Sequence, residues 1–194
     1  MIAKGIDEEK NTVDLVTDAM YSMSFLAEIS NEIFRNPNAT TTVKEFYSAW
    51  LRAVGAPQPK IPFSLGCFAG YMYCGLLITK ENWSDLIPNE ELPNLSADWG
   101  LTGVTCTAPQ KANPTLQYFI RRMRNSLGHA NISVAIFPSV DIQKDIHKMA
   151  TWTFKDVNPQ DHTDTFETTL TMYQIEMLIK KFHSIVHQNV RIKP

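Results

Sequence analysis

The chain has 194 residues and a mass of 22.0 kDa, one domain's worth of sequence, and a chain of this length buries roughly 70% of its unfolded surface without metal or disulfide staples. Its 44% apolar and 20% charged residues exclude collagen-like, coiled-coil and wholly disordered chains. Eighteen Lys and Arg against 20 Asp and Glu leave a net charge of -2, unlike the basic proteins that hold duplex DNA mainly by its phosphates.

Three cysteines, Cys67, Cys74 and Cys106, make no disulfide framework and fit reduced thiols in a cytoplasm. The N-terminal residues show neither an apolar core nor a cleavage site for export. One stretch, Ile61 to Thr79, carries no charge and is long enough to span a membrane. Its prolines, glycines, serine and tyrosines favour a buried helix instead, with Gly66 and Gly70 on one face to allow close approach.

Apolar residues at helical spacing, from Leu15 and Val16 through Met20, Met23, Leu26, Ile29 and Ile33, predict a first helix over about 12–35. Asn36-Pro37 stops it. Thr42 with Glu45 forms a capping box for a second helix that ends at Gly55. Pro57 and Pro59 make a stiff link to the uncharged helix, about 62–80. Residues 81–112 are irregular and acidic, a connection long enough to hold a function or its own short elements.

Asn113-Pro114 reads as the N-cap and first position of another helix, which Gly128 stops. Two strands follow, Ile132 to Phe137 and Ala150 to Lys155, spaced as a hairpin. Asp164 with Glu167 reads as the cap of a last helix running to about Gln188 on Phe166, Leu170, Tyr173, Met177, Leu178 and Ile185.

The chemistry concentrates at Arg121-Arg122-Met123-Arg124-Asn125-Ser126-Leu127-Gly128-His129. On a helical wheel Leu116, Phe119, Ile120, Met123 and Leu127 form one apolar stripe. Arg121 lies nearly opposite it, and Arg124 sits about 85° from its centre, at the border. A half-buried guanidinium one to two turns from an imidazole is a pair suited to a phosphate. Arginine donates two charge-assisted hydrogen bonds, and histidine exchanges a proton near neutral pH. No Asp or Glu occurs between Asp98 and Asp141, so the local sequence is basic, as an anionic substrate needs. Three arginines late in a helix are also favoured by its dipole alone, which is the purely structural reading of the same residues.

Arg124-Asn125-Ser126-Leu127-Gly128-His129 resembles the Arg-x4-6-His motif of the HEPN superfamily, with the favoured polar residue straight after the arginine and the motif at a helix end. With the hairpin and closing helix that follow, the order is similar to a group of plasmid-borne bacterial HEPN proteins. The resemblance implies a mainly α fold, a HEPN-type helical bundle with a small β-hairpin before the C-terminal helix, over a single domain 1–194. It implies a homodimer in which two motif helices meet, and metal-independent endoribonuclease chemistry with no cofactor. His129 would act on the ribose 2′-hydroxyl, Arg124 would hold the scissile phosphate, and Asn125 would orient one of them. Arg122 fits the looser spacing, and Arg121 and Arg122 are assigned to flanking phosphates of the RNA. A toxin or anti-phage role with an antitoxin or other protein partner comes with the resemblance. One subgroup is controlled by modification of a tyrosine two residues after the histidine, and here that position is Asn131.

A second class of function follows from the same residues: a non-catalytic HEPN module that binds nucleotide, RNA or protein. A third uses His183 and His187, four apart and thus at metal-ligand spacing, though cations at a helix C-terminus account for them as well. Cys67 and Cys74 read as core residues.

Overall fold

The computed structural model describes residues 6–55, 65–78, 84–137 and 150–191. The Pro57–Pro59 link, Trp83 and the end of the first strand's prolyl boundary at Pro138 lie outside them. The chain divides into two compact units, Met1–Tyr71 and Met72–Pro194.

In the first unit, α1 (Ile6–Arg35) and α2 (Val43–Ala53) pack through aromatic side chains. The capping box predicted at Thr42 is present: Thr42 N–H donates to Glu45 Oε2 at 2.8 Å and Glu45 N–H to Thr42 Oγ1 at 3.2 Å. Phe25 lies edge-on to Phe46, Tyr47 and Trp50, and the Trp50 indole donates to Ser24 Oγ at 3.2 Å. The spacing of α1 predicts its helix correctly but not its inward face. Ser22 and Phe25 are buried, whereas Met20, Met23, Leu26 and Ile33 are exposed, as is Phe34. α3 (Leu65–Met72) buries Leu65, Phe68, Ala69 and Met72.

α3 runs on into a π-helical turn, Tyr73–Ile78, the start of the second unit. The close approach expected at Gly70 is absent, and one occurs at Gly75. A Cβ there would sit 2.5 Å from Ile179 Cγ2, while one on Gly70 would meet nothing within 4 Å. The irregular stretch carries its own elements: 3-10 turns at Ser84–Leu86, Leu92–Asn94 and Ala97–Trp99, then strand β1 (Cys106–Thr107). Ile87, Leu92, Trp99 and Leu101 are buried, and Asp98 pairs with Lys181.

α4 is Leu116–Gly128, capped by Thr115, whose Oγ1 accepts from Tyr118 N–H at 3.4 Å. The Asn113 cap is therefore corrected by two residues. Backbone pairing explains why. Leu92 N–H donates to Pro114 O and Leu116 N–H to Glu90 O, which holds 114–115 extended. The predicted apolar stripe, Leu116, Phe119, Ile120, Met123 and Leu127, is fully buried.

β2 (Ile132–Ile136) and β3 (Ala150–Asn158) pair antiparallel, as the hairpin spacing predicts. The fold is mainly helical but not a pure bundle, because the hairpin grows into a four-stranded antiparallel sheet in the order β1-β4-β3-β2. Two strands are added, β1 and β4, and β4 (Asp161–Thr171) stands where the sequence predicts the start of the last helix. Phe166, Thr168 and Leu170 face inward while Glu167 and Thr169 face out, the period-two pattern of a half-buried strand. The last helix, α5 (Met172–Arg191), starts at a different box: Thr171 N–H donates to Gln174 Oε1 at 2.9 Å, and Gln174 N–H to Thr171 Oγ1 at 3.2 Å. Trp152 and Phe154 on β3, Phe166 on β4 and Phe182 on α5 complete the core around α4. Among the described residues no helix is long and apolar enough to cross a membrane.

Candidate functional site

The end of α4 is built by a Schellman-type stop. Ala130 N–H donates to Leu127 O at 2.9 Å and Asn131 N–H to Ser126 O at 2.7 Å. Gly128 is still helical, His129 is the C-cap, and the left-handed residue is Ala130, at φ 52°. The helix thus ends two residues later than a glycine stop implies. Tyr73 on the π turn donates its hydroxyl to Leu127 O at 2.6 Å, which satisfies a terminal carbonyl two residues before His129. Burial of the Tyr73 ring pushes its phenol pKa up, so the hydroxyl keeps its proton and stays a donor.

Three predicted residues come together here. Arg124 Nη1 donates to Asn125 Oδ1 at 3.3 Å, and Asn125 Nδ2 donates to Asp156 Oδ2 at 3.2 Å. His129 Nδ1 lies 4.0 Å from the other oxygen of the same carboxylate, with the imidazole 60% exposed. Arg124 and Asn125 are half-buried. Arg124 and His129 are therefore both grouped on one buried carboxylate, Asp156, the first indirectly through Asn125 and the second by proximity.

Arg122 is not where a flanking-phosphate contact must be. It is 4% exposed, with Nε 2.9 Å from Asp156 Oδ2. Nη1 donates to Asp164 Oδ2 at 3.0 Å, and Nη2 donates to the carbonyls of Asp156 and Asp164 at 3.1 and 3.0 Å. Its charge is spent inside the fold, so its assignment to RNA is corrected. Arg121 is exposed, with its guanidinium carbon 5.6 Å from the centre of the Tyr118 ring.

Asp156 and Asp164 are the residues around the candidate site that sequence reasoning missed. A signal for them exists. Trp152, Phe154 and Asp156 share one face of β3, and Asp164, Phe166, Thr168 and Leu170 share one face of β4. A carboxylate at an inward strand position needs a buried cation, and Arg122 is that cation. The stretch without Asp or Glu between Asp98 and Asp141 is basic in sequence, but the sheet brings two carboxylates to one flank of it.

His183 and His187 have ring centres 6.2 Å apart on the exposed side of α5, and among the described residues no group of three or more metal-ligating side chains occurs. Cys67 is half-buried and Cys74 exposed, so the second is not a core residue.

A protein-family model, that of HEPN pEK499 p136, matches residues 7–193. No curated protein and no solved structure matches the chain.

Proposed function

The chain belongs to the HEPN pEK499 p136 family, and from that premise we propose that it is a metal-independent endoribonuclease whose catalytic residues are His129 and Arg124. The observation that carries the reading is the shared tether: Arg124, through Asn125, and His129 both sit against the buried Asp156 carboxylate. Asp156 facing Nδ1 favours the tautomer with its proton on Nδ1, which leaves Nε2 to accept a proton.

In the proposed reaction Nε2 takes the proton of a ribose 2′-hydroxyl. The 2′-oxygen forms a bond to phosphorus, and the bond from phosphorus to the 5′-oxygen breaks. The proton is returned to the leaving 5′-oxygen, so no water or external acid is consumed. Products are a 2′,3′-cyclic phosphate and a 5′-hydroxyl. Arg124 donates two hydrogen bonds to the non-bridging oxygens as charge builds on them. Asn125 positions that guanidinium, and Arg122 positions Asp156. The proposal extends to a homodimer that brings two motif helices together, and to a cytoplasmic toxin or anti-phage effector with an antitoxin or other protein partner. The side of α4 that carries exposed Arg121 and His129 and half-buried Arg124 supports the first of these.

The test is incubation of RNA with wild type and with His129→Ala in excess chelator, followed by end-group analysis. Cleavage by wild type alone, leaving cyclic-phosphate ends, supports the reading. Binding without turnover by both proteins replaces it with a non-catalytic nucleotide- or RNA-binding module.

A further inference from the structure

The segment before α4 and the first turns of that helix enclose a cleft of about 450 Å³, lined by Asp85, Ile87, Lys111, Gln117, Tyr118 and Arg121 among others. It lies wholly within the second unit. The volume falls in the range of small-ligand sites. Among the described residues two cations, Lys111 and Arg121, line it against one carboxylate, Asp85. The wall is also planar and apolar in part: the Tyr118 ring lies beside the Arg121 guanidinium, and Ile87 is buried next to them. Gln117 Nε2 donates to Ile87 O at 2.7 Å, which fixes the segment onto the helix and holds the cleft open. A phosphate with an attached aromatic base matches these features, the phosphate on Lys111 and Arg121 and the base against the Tyr118–Arg121 surface.

The cleft and the site at the end of α4 share that helix, with Arg121 lining the cleft. Arg121 and Arg124 lie within about 60° of each other around the helix axis, and Arg121 precedes His129 by only about 12 Å along it. A strand whose scissile phosphate sits on Arg124 therefore reaches the cleft within a few nucleotides. We propose that this cleft is a subsite for a nucleotide of the RNA strand flanking the scissile bond. The inference rests on the ribonuclease reading for the strand's identity, but not on turnover.

The experiment measures binding of a fluorescent eight-nucleotide RNA to the His129→Ala protein, with and without Lys111→Ala plus Arg121→Ala. A further variant, Ser84→Trp, fills the cleft with no change of charge, and Lys155→Ala removes an exposed cation elsewhere. The double variant is expected to weaken binding about tenfold or more and to reduce the salt slope by about one to two, one per lost phosphate contact. Ser84→Trp is expected to weaken binding too, and Lys155→Ala to leave it unchanged. Equal affinity in the double variant and its parent overturns the subsite, as does equal loss from Lys155→Ala. Loss of 5′-AMP binding in the double variant, with RNA affinity retained, assigns the cleft to a free nucleotide and overturns it also. Cleavage by wild type is read separately. Cleft-dependent RNA binding without cleavage removes the ribonuclease reading and leaves the subsite; cleavage without cleft-dependent binding does the reverse.

Discussion

The two flanks of α4 carry arginines of opposite kinds. On the flank against the sheet, Arg122 is buried and held by Asp156, Asp164 and two backbone carbonyls. On the other, Arg121 is exposed and Arg124 half-buried, with Asn125 between Arg124 and Asp156. Residues two apart in sequence thus differ in kind: Arg122 is held inside the fold, and Arg124 stands half-buried at its edge. Asp156 belongs to both flanks, because the carboxylate that neutralises Arg122 also faces His129. A basic run on a helix is therefore not one binding surface. What packs on each flank decides which cations remain available.

The largest effect that separates the flanks is on stability. Arg122→Ala leaves Asp156 buried without its cation and is expected to cost about 3–5 kcal/mol, read by chemical denaturation. Arg124→Ala, at a half-exposed position, is expected to cost no more than about 1 kcal/mol. Equal costs would erase the distinction between the two arginines.

Asp156→Asn acts on both flanks at once. It keeps a hydrogen-bonding shape for Arg122, which retains Asp164, so the expected cost is roughly 1–3 kcal/mol. Cleavage is expected to fall roughly 10- to 100-fold in kcat with KM held, since the tether orients groups rather than binding substrate. A change confined to KM would move Asp156 out of the positioning role.

Smaller effects come from the end of the helix. Ala130 adopts φ 52° where glycine carries no Cβ penalty, so Ala130→Gly is expected to stabilise the fold by about 1 kcal/mol, seen as a higher denaturation midpoint. The smallest is at Tyr118, whose hydroxyl is buried without a hydrogen-bond partner among the described residues. Removing it in Tyr118→Phe is expected to change stability by no more than about 0.5 kcal/mol and to keep the ring beside Arg121.

Much of this helix was legible in the sequence. The stripe from Leu116 to Leu127 has one period and one solution, and its border singles out Arg124 near His129; Asn125 comes in only through the resemblance to the HEPN motif. The other flank was not legible, for a definite reason. Phe166 and Leu170 are four apart, which satisfies a helix face as well as one side of a strand. Asp164 and Glu167 have the spacing of a capping box, while the real box stands at Thr171 and Gln174. Reading 164–171 as helix hid the strand that delivers Asp164, and ending β3 at Lys155 stopped one residue short of Asp156. The wheel places Arg124 at the border of the stripe but does not show that Arg122 is buried, because the wheel contains α4 and not the sheet beside it. In α1 the period was again sufficient for the helix and silent on which side meets α2.

The most direct test of the division between the flanks is the metal-free RNA cleavage rate of Arg124→Ala, measured at a temperature where the variant is folded. The expected result is a loss of about 10²–10³-fold in kcat with the thermal midpoint nearly unchanged. A folded Arg124→Ala protein that cleaves at the wild-type rate would contradict the account.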